Sequence, residues 1–187
     1  MRHSVARSRP SPTPPPPIPS PPRATERTAT LQALRRAAAR LAGPAVPPIS
    51  VLDCLARWDP RPSVVLDDRL HPGLRGGCDL VDGRWLIILN REDALAQARF
   101  TLAHELGHIV LGDLDGVTPP VHTHEREALC DQFAAELLLP AAALRAASRQ
   151  AGPAALAARF QAPQVVVRQR LAELGLSEPR PDGGASV

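Results

Sequence analysis

His104-Glu105-Leu106-Gly107-His108 places two imidazoles four residues apart, with a carboxylate directly after the first. On a helix, residues four apart lie within roughly 40° of each other on one face. Both imidazoles can then reach one metal ion. Glu105 can approach a water held there from the side. Two neutral nitrogen ligands, an open position and an adjacent carboxylate base form the zinc-hydrolase arrangement, H-E-x-x-H. A shuffled chain with these 6 His and 8 Glu would hold roughly 0.01 such pentads, so chance explains the pattern poorly. The plainer alternative is a helix carrying two histidines on a polar face.

A tetrahedral site needs a third protein ligand beside water. Downstream, Glu127 and Asp131 are four apart in a segment of helix formers, Glu125 to Leu139, that Pro140 stops. If this helix lies against the first, Glu127 can be the third ligand. Asp131 can then accept a hydrogen bond from the other nitrogen of a zinc-binding histidine, which fixes its tautomer. Otherwise the two are solvated surface carboxylates. Cys130, between them, is a second-choice ligand at best.

His122 and His124 lie between the two helices, after Pro119-Pro120. Either could be a ligand, a stabiliser of the oxyanion or an ordinary loop residue. The chain has no Tyr, so no phenol can serve the oxyanion. His122, His124, His71 and the arginines are the donors that remain.

The elements that must position these groups can be read coarsely. Thr30 to Leu41 and Ile49 to Trp58 read as helices, each ended by a proline-containing turn. Ser63 to Leu66 reads as a strand. Cys78 to Val81 and Arg84 to Asn90, joined by Asp82-Gly83, read as a hairpin. The H-E-x-x-H helix follows Asp93, with Leu102, Leu106, Ile109 and Val110 as its apolar stripe. Gly107 weakens that helix but would let another backbone come close. The expected class is α+β: a small antiparallel three-stranded sheet packed on a helical zincin core, followed by C-terminal helices. A sheet edge there could hold an extended peptide by strand addition.

Arg99-Phe100-Thr101-Leu102-Ala103-His104-Glu105-Leu106-Gly107-His108, with Glu127-x-x-x-Asp131-x-Phe133-Ala134-Ala135-Glu136-Leu137-Leu138-Leu139-Pro140, resembles the ImmA/IrrE family of metallopeptidases. The resemblance covers roughly residues 45 to 176. It implies a gluzincin-like site in which His104, His108 and Glu127 bind Zn2+, Glu105 is the catalytic base and Asp131 supports. It also implies a protein substrate, typically a helix-turn-helix transcriptional repressor whose cleavage switches genes on. One departure is Gly112, four residues after His108, where relatives often carry another His.

Composition bounds the rest. The 187 residues can form one domain with a real core, built mainly from Ala, Leu and Val because aromatics are 3%. All 22 basic residues are Arg. The net charge is +3, but residues 1–30 carry five Arg against one Glu, so the remainder sums to −1. The folded body offers no net positive field for a phosphate backbone, and direct nucleic-acid binding is not expected. The Pro/Arg-rich stretch over residues 1–29 reads as a disordered tail without the apolar core of a secretory signal. Residues 30–176 read as the peptidase domain and 177–187 as a second disordered tail. Cys54, Cys78 and Cys130 lack C-x-x-C spacing and read as free thiols of a cytoplasmic protein. No apolar run is long enough to span a bilayer.

Within the C-terminal part, residues 154–174 read as two helices around Gln161-Ala162-Pro163, like half of a helix-turn-helix unit. Arg168 and Arg170 could touch phosphates there. The favoured alternative is a packing cap with Val166, Leu171 and Leu174 buried. Two function classes therefore stand side by side. One is a zinc endopeptidase acting on a regulatory protein. The other is a non-proteolytic regulatory binding protein with a structural or vestigial metal site. A zinc hydrolase of small amides is a further rival.

Overall fold

The structure is a computed structural model that describes residues 24–44, 46–71, 73–114 and 123–176. Of the expected tails over residues 1–29 and 177–187, residues 1–23 and 177–187 lie outside these, as does His122, while residues 24–29 belong to a helix. The order is α1 (Ala24–Ala42), α2 (Val51–Leu55), β1 (Ser63–Asp67), β2 (Gly76–Val81), β3 (Arg84–Asn90), α3 (Leu95–Leu114), α4 (Thr123–Leu138), α5 (Ala141–Ser148), α6 (Pro153–Phe160) and α7 (Gln164–Glu173). The class is α+β with C-terminal helices, as expected. No helix of the described residues is long and apolar enough to cross a membrane.

The sheet corrects one expectation: it is mixed, not antiparallel throughout. Its order is β1-β3-β2, with β1 parallel to β3 and β2 antiparallel to β3. Asp82 and Gly83 take positive φ, 49° and 75°, and close the β2–β3 hairpin as the D-G signal requires. Between the end of β1 and the start of β2 the chain passes from one edge of the sheet to the other, beyond the place that β3 takes. That crossing makes β1 and β3 run the same way. Asn90 ties the crossing down. Its side-chain amide donates to the Leu74 carbonyl at 3.1 Å, and its backbone N–H donates to the Arg75 carbonyl at 2.8 Å.

The core lies between α3, α4, α1 and the inner face of β3. Leu102, Leu106, Ile109 and Leu111 of α3 meet Leu129, Phe133, Leu137 and Leu138 of α4, all buried. Each such side chain contributes about 1.5–3 kcal/mol when taken fully out of water. Ile87 and Leu89 of β3 are buried too, at alternate positions of the strand.

Several boundaries move. α1 starts at Ala24 rather than Thr30, and Arg27 reaches Glu125 of α4 at 3.9 Å. α2 is one short turn and a half, because Trp58 leaves the helix and donates its indole N–H to Asp113 at 2.8 Å. α5 follows directly on Pro140, which ends α4 and stands at the N-cap of the next helix.

The C-terminal helices pack on the body. Gln161 takes φ 51° and turns α6 into α7. Arg99 of α3 reaches across to the Gln161 carbonyl at 3.2 Å and the Ile49 carbonyl at 2.7 Å. Val166 and Leu171 are buried and Leu174 is partly so. Arg170 is also buried, bonded to Glu136 of α4 and to Glu173 at 3.0 Å.

Candidate active site

The close approach of α3 and α4 builds the site. Gly107 makes it possible: a Cβ there would stand 3.1 Å from Cys130 Cα and 3.2 Å from a Phe133 ring carbon. The helices run antiparallel, so His104 meets Asp131 and His108 meets Glu127. The pentad and the Glu127/Asp131 pair, with His104 and Glu127 23 residues apart in the chain, come together on one patch.

Within that patch three polar side chains converge. His104 Nε2 lies 3.2 Å from His108 Nε2 and 3.2 Å from Glu127 Oε2, and His108 Nε2 lies 3.5 Å from Glu127 Oε1. His104 Nδ1 lies 2.8 Å from Asp131 Oδ1. A carboxylate only accepts, so Nδ1 carries the proton of that bond. In the neutral ring this leaves a lone pair on Nε2, aimed at Glu127 and His108. Such a cluster of electron pairs favours a cation or a proton at its centre.

A metal ion fits the spacing. Zinc takes nitrogen and oxygen ligands at about 2.0–2.1 Å, so tetrahedral neighbours sit about 3.3–3.4 Å apart. The three observed separations, 3.2, 3.2 and 3.5 Å, bracket that edge. His104, His108 and Glu127 could therefore hold one ion with a fourth position open. Cys130 is the other candidate. Its sulfur is buried and within 4.8 Å of the two imidazole nitrogens. Burial, and then the Glu127 charge, push its thiol up from the ordinary value. Wider spacing and a retained proton favour the carboxylate.

The two histidines titrate apart. Burial works against charge on His104, but the Asp131 hydrogen bond and charge, aided by Glu105 and Glu127, outweigh it and raise its pKa. His108 is lowered by burial and by the neighbouring His104. One proton on the pair disfavours a second.

Glu105 is buried in the wall of a cleft of about 280 Å³ that also exposes His104, Glu127 and Asp131. Gly76 of β2 lines the same cleft, and a Cβ there would meet the Ile88 carbonyl and Thr101 Cγ2, each at 2.7 Å. Only glycine lets edge strand β2 lie this close to α3. Sequence reasoning missed this residue, although a Gly-Gly pair entering a strand signals close backbone approach. It also missed Cys78. The Cys78 thiol faces the Glu105 carbonyl at 3.8 Å and is pushed up to about 12 by burial and then by Glu105. No local signal joins two residues this distant in sequence.

Of the other donors, Arg75 lines this cleft, whereas His124 and His71 do not. His124 is exposed on the first turn of α4. His71 Nδ1 accepts from the Gly73 N–H at 3.1 Å, within its own loop.

Residues 64–172 match the family profile described as Peptidase M78, IrrE N-terminal-like domain. No curated protein matches. Among solved structures, a Mycobacterium tuberculosis transcriptional regulator superposes with a TM-score of 0.59 at 23% identity. The alignment covers 85% of this chain and 53% of that one, so the chain spans about half the length of this neighbour.

Proposed function

We propose, from the premise that the chain belongs to the Peptidase M78 family of IrrE N-terminal-like domains, that it is a zinc-dependent endopeptidase acting on a regulatory protein. The observation that carries this reading is the convergence of His104, His108 and Glu127 at metal-ligand spacing, with Glu105 beside them in a cleft. These three residues would hold the ion. When bound, zinc supplies a Lewis acid that polarises a carbonyl and makes water acidic near neutral pH.

The chain's own residues do the rest. Glu105 accepts the proton of the attacking water and returns it to the leaving amine. Its burial keeps bulk water from competing for that proton. Asp131 orients His104 through Nδ1, so that Nε2 faces the ligand cluster. Among the described residues strand β2 pairs with β3 alone and borders the cleft at Gly76, so its other edge can receive an extended peptide.

The substrate we infer is a helix-turn-helix transcriptional repressor, supported by the family resemblance of the two motifs. The three free thiols support a cytoplasmic location. The test is incubation of purified candidate repressor with the zinc-loaded chain and with Glu105→Gln. Cleavage by wild type alone supports the reading. Equal cleavage by the variant, or none by either across candidate repressors, contradicts it.

A further inference from the structure

Resting on the metal site read above, we propose that Cys130 is a second anionic ligand for the same ion, taking the place of Glu127 when that carboxylate turns out to solvent. The site then has two ligand sets, His-His-Glu and His-His-Cys, whose anionic members both come from α4.

Glu127 and Cys130 are three residues apart on α4, about 60° around the helix and one turn along it. Both face the histidines of α3. They differ in freedom. The Glu127 side chain is 56% exposed and can rotate away without unpacking the core. Cys130 is fully buried at the closest crossing of α3 and α4, against Gly107, and cannot leave. Its sulfur already lies within 4.8 Å of both imidazole nitrogens.

The chemistry suits the exchange. Thiolate and imidazole together make stable zinc sites, and sulfur is the softer donor. With a metal–sulfur bond of about 2.3 Å and metal–nitrogen bonds of about 2.0–2.1 Å, sulfur and nitrogen sit about 3.6 Å apart. From within 4.8 Å, the sulfur must close by at most about 1.2 Å to reach that separation, within reach of a side-chain rotation. As the metal–sulfur bond forms, the metal–carboxylate bond breaks and the thiol proton leaves to solvent. The chain thus keeps its metal while Glu127 is disengaged.

Cobalt(II) is the probe, because thiolate ligation gives it an intense near-ultraviolet charge-transfer band that nitrogen and oxygen ligands do not. The full chain is titrated with cobalt(II) as wild type, Glu127→Ala, Glu127→Gln and Glu127→Ala/Cys130→Ser, with circular dichroism confirming folding. Wild type is expected to bind cobalt without the sulfur band. Both Glu127 variants are expected to bind it roughly tenfold or more weakly and to gain the band. The double variant is expected to lose band and binding together. A folded Glu127 variant that binds no cobalt, or binds it without the band, overturns the proposal and leaves the His-His-Glu site standing. A sulfur band already present in wild type overturns the exchange, because Cys130 would then be a permanent ligand. Failure of wild type to bind cobalt overturns the metal site itself, and the exchange with it.

Discussion

His104 donates through Nδ1 to the Asp131 carboxylate at 2.8 Å, across the antiparallel pair α3 and α4. This bond fixes which nitrogen of His104 faces Glu127 and His108. Losing such a support typically costs a metal site about 10–100-fold in affinity. Asp131→Ala is expected to weaken zinc binding by that factor, measured by competition with a chromophoric chelator. Asp131→Asn keeps an acceptor without the charge and is expected to lose less. Wild-type affinity in both variants would show that the bond does not orient the ligand.

Gly107→Ala sets two effects against each other. Alanine favours the helix by about 1 kcal/mol over glycine. The new Cβ, however, would stand 3.1 Å from Cys130 Cα, a backbone atom that cannot swing aside. Overpacking of this kind costs about 1–3 kcal/mol, so the clash wins. The variant is expected to melt lower in denaturation and to bind zinc more weakly, because α4 carries Glu127 away. A raised melting temperature would contradict this packing.

The thiols should be inert in the native chain. Cys78 is pushed up to about 12 by burial and by Glu105, and burial also raises Cys54 and Cys130. At pH 8 a thiol near 12 has about a thousandfold less thiolate than one at its ordinary value. A chromogenic disulfide reagent is expected to count no fast thiol in buffer and three in denaturant. A fast thiol in buffer would place one of these cysteines in a more open setting.

Arg170 holds α7 to α4 from a buried position, bonded to Glu136 and Glu173. Removing one partner of a buried pair costs about 3–5 kcal/mol because the other charge stays behind. Arg170→Ala is expected to show a loss of that size in urea unfolding. Arg170→Met with Glu136→Met is expected to recover most of it. A loss below about 1 kcal/mol in the single variant would mean that solvent, or Arg35 at 3.8 Å, satisfies Glu136 in its place.

Much of the site is legible in the sequence because it is helical. Four-residue spacing puts His104 with His108 and Glu127 with Asp131 on shared faces, whatever the rest of the chain does. The Asp82-Gly83 turn likewise encodes its own hairpin. What stays hidden depends on contacts between distant segments. The parallel pairing of β1 with β3 follows from the far edge that β2 takes, and Asn90 holds the approach to β2 through tertiary bonds to Leu74 and Arg75. The α2 boundary depends on Trp58 finding Asp113, 55 residues away. Pro140 hides α5 because a proline that stops one helix also opens the next.

The most direct measurement is zinc per chain by elemental mass spectrometry, on wild type beside His104→Ala/His108→Ala. About one zinc in wild type and none in the variant is the expected result. No zinc in wild type after reconstitution, or equal zinc in both, would contradict a metal centre at the crossing of α3 and α4.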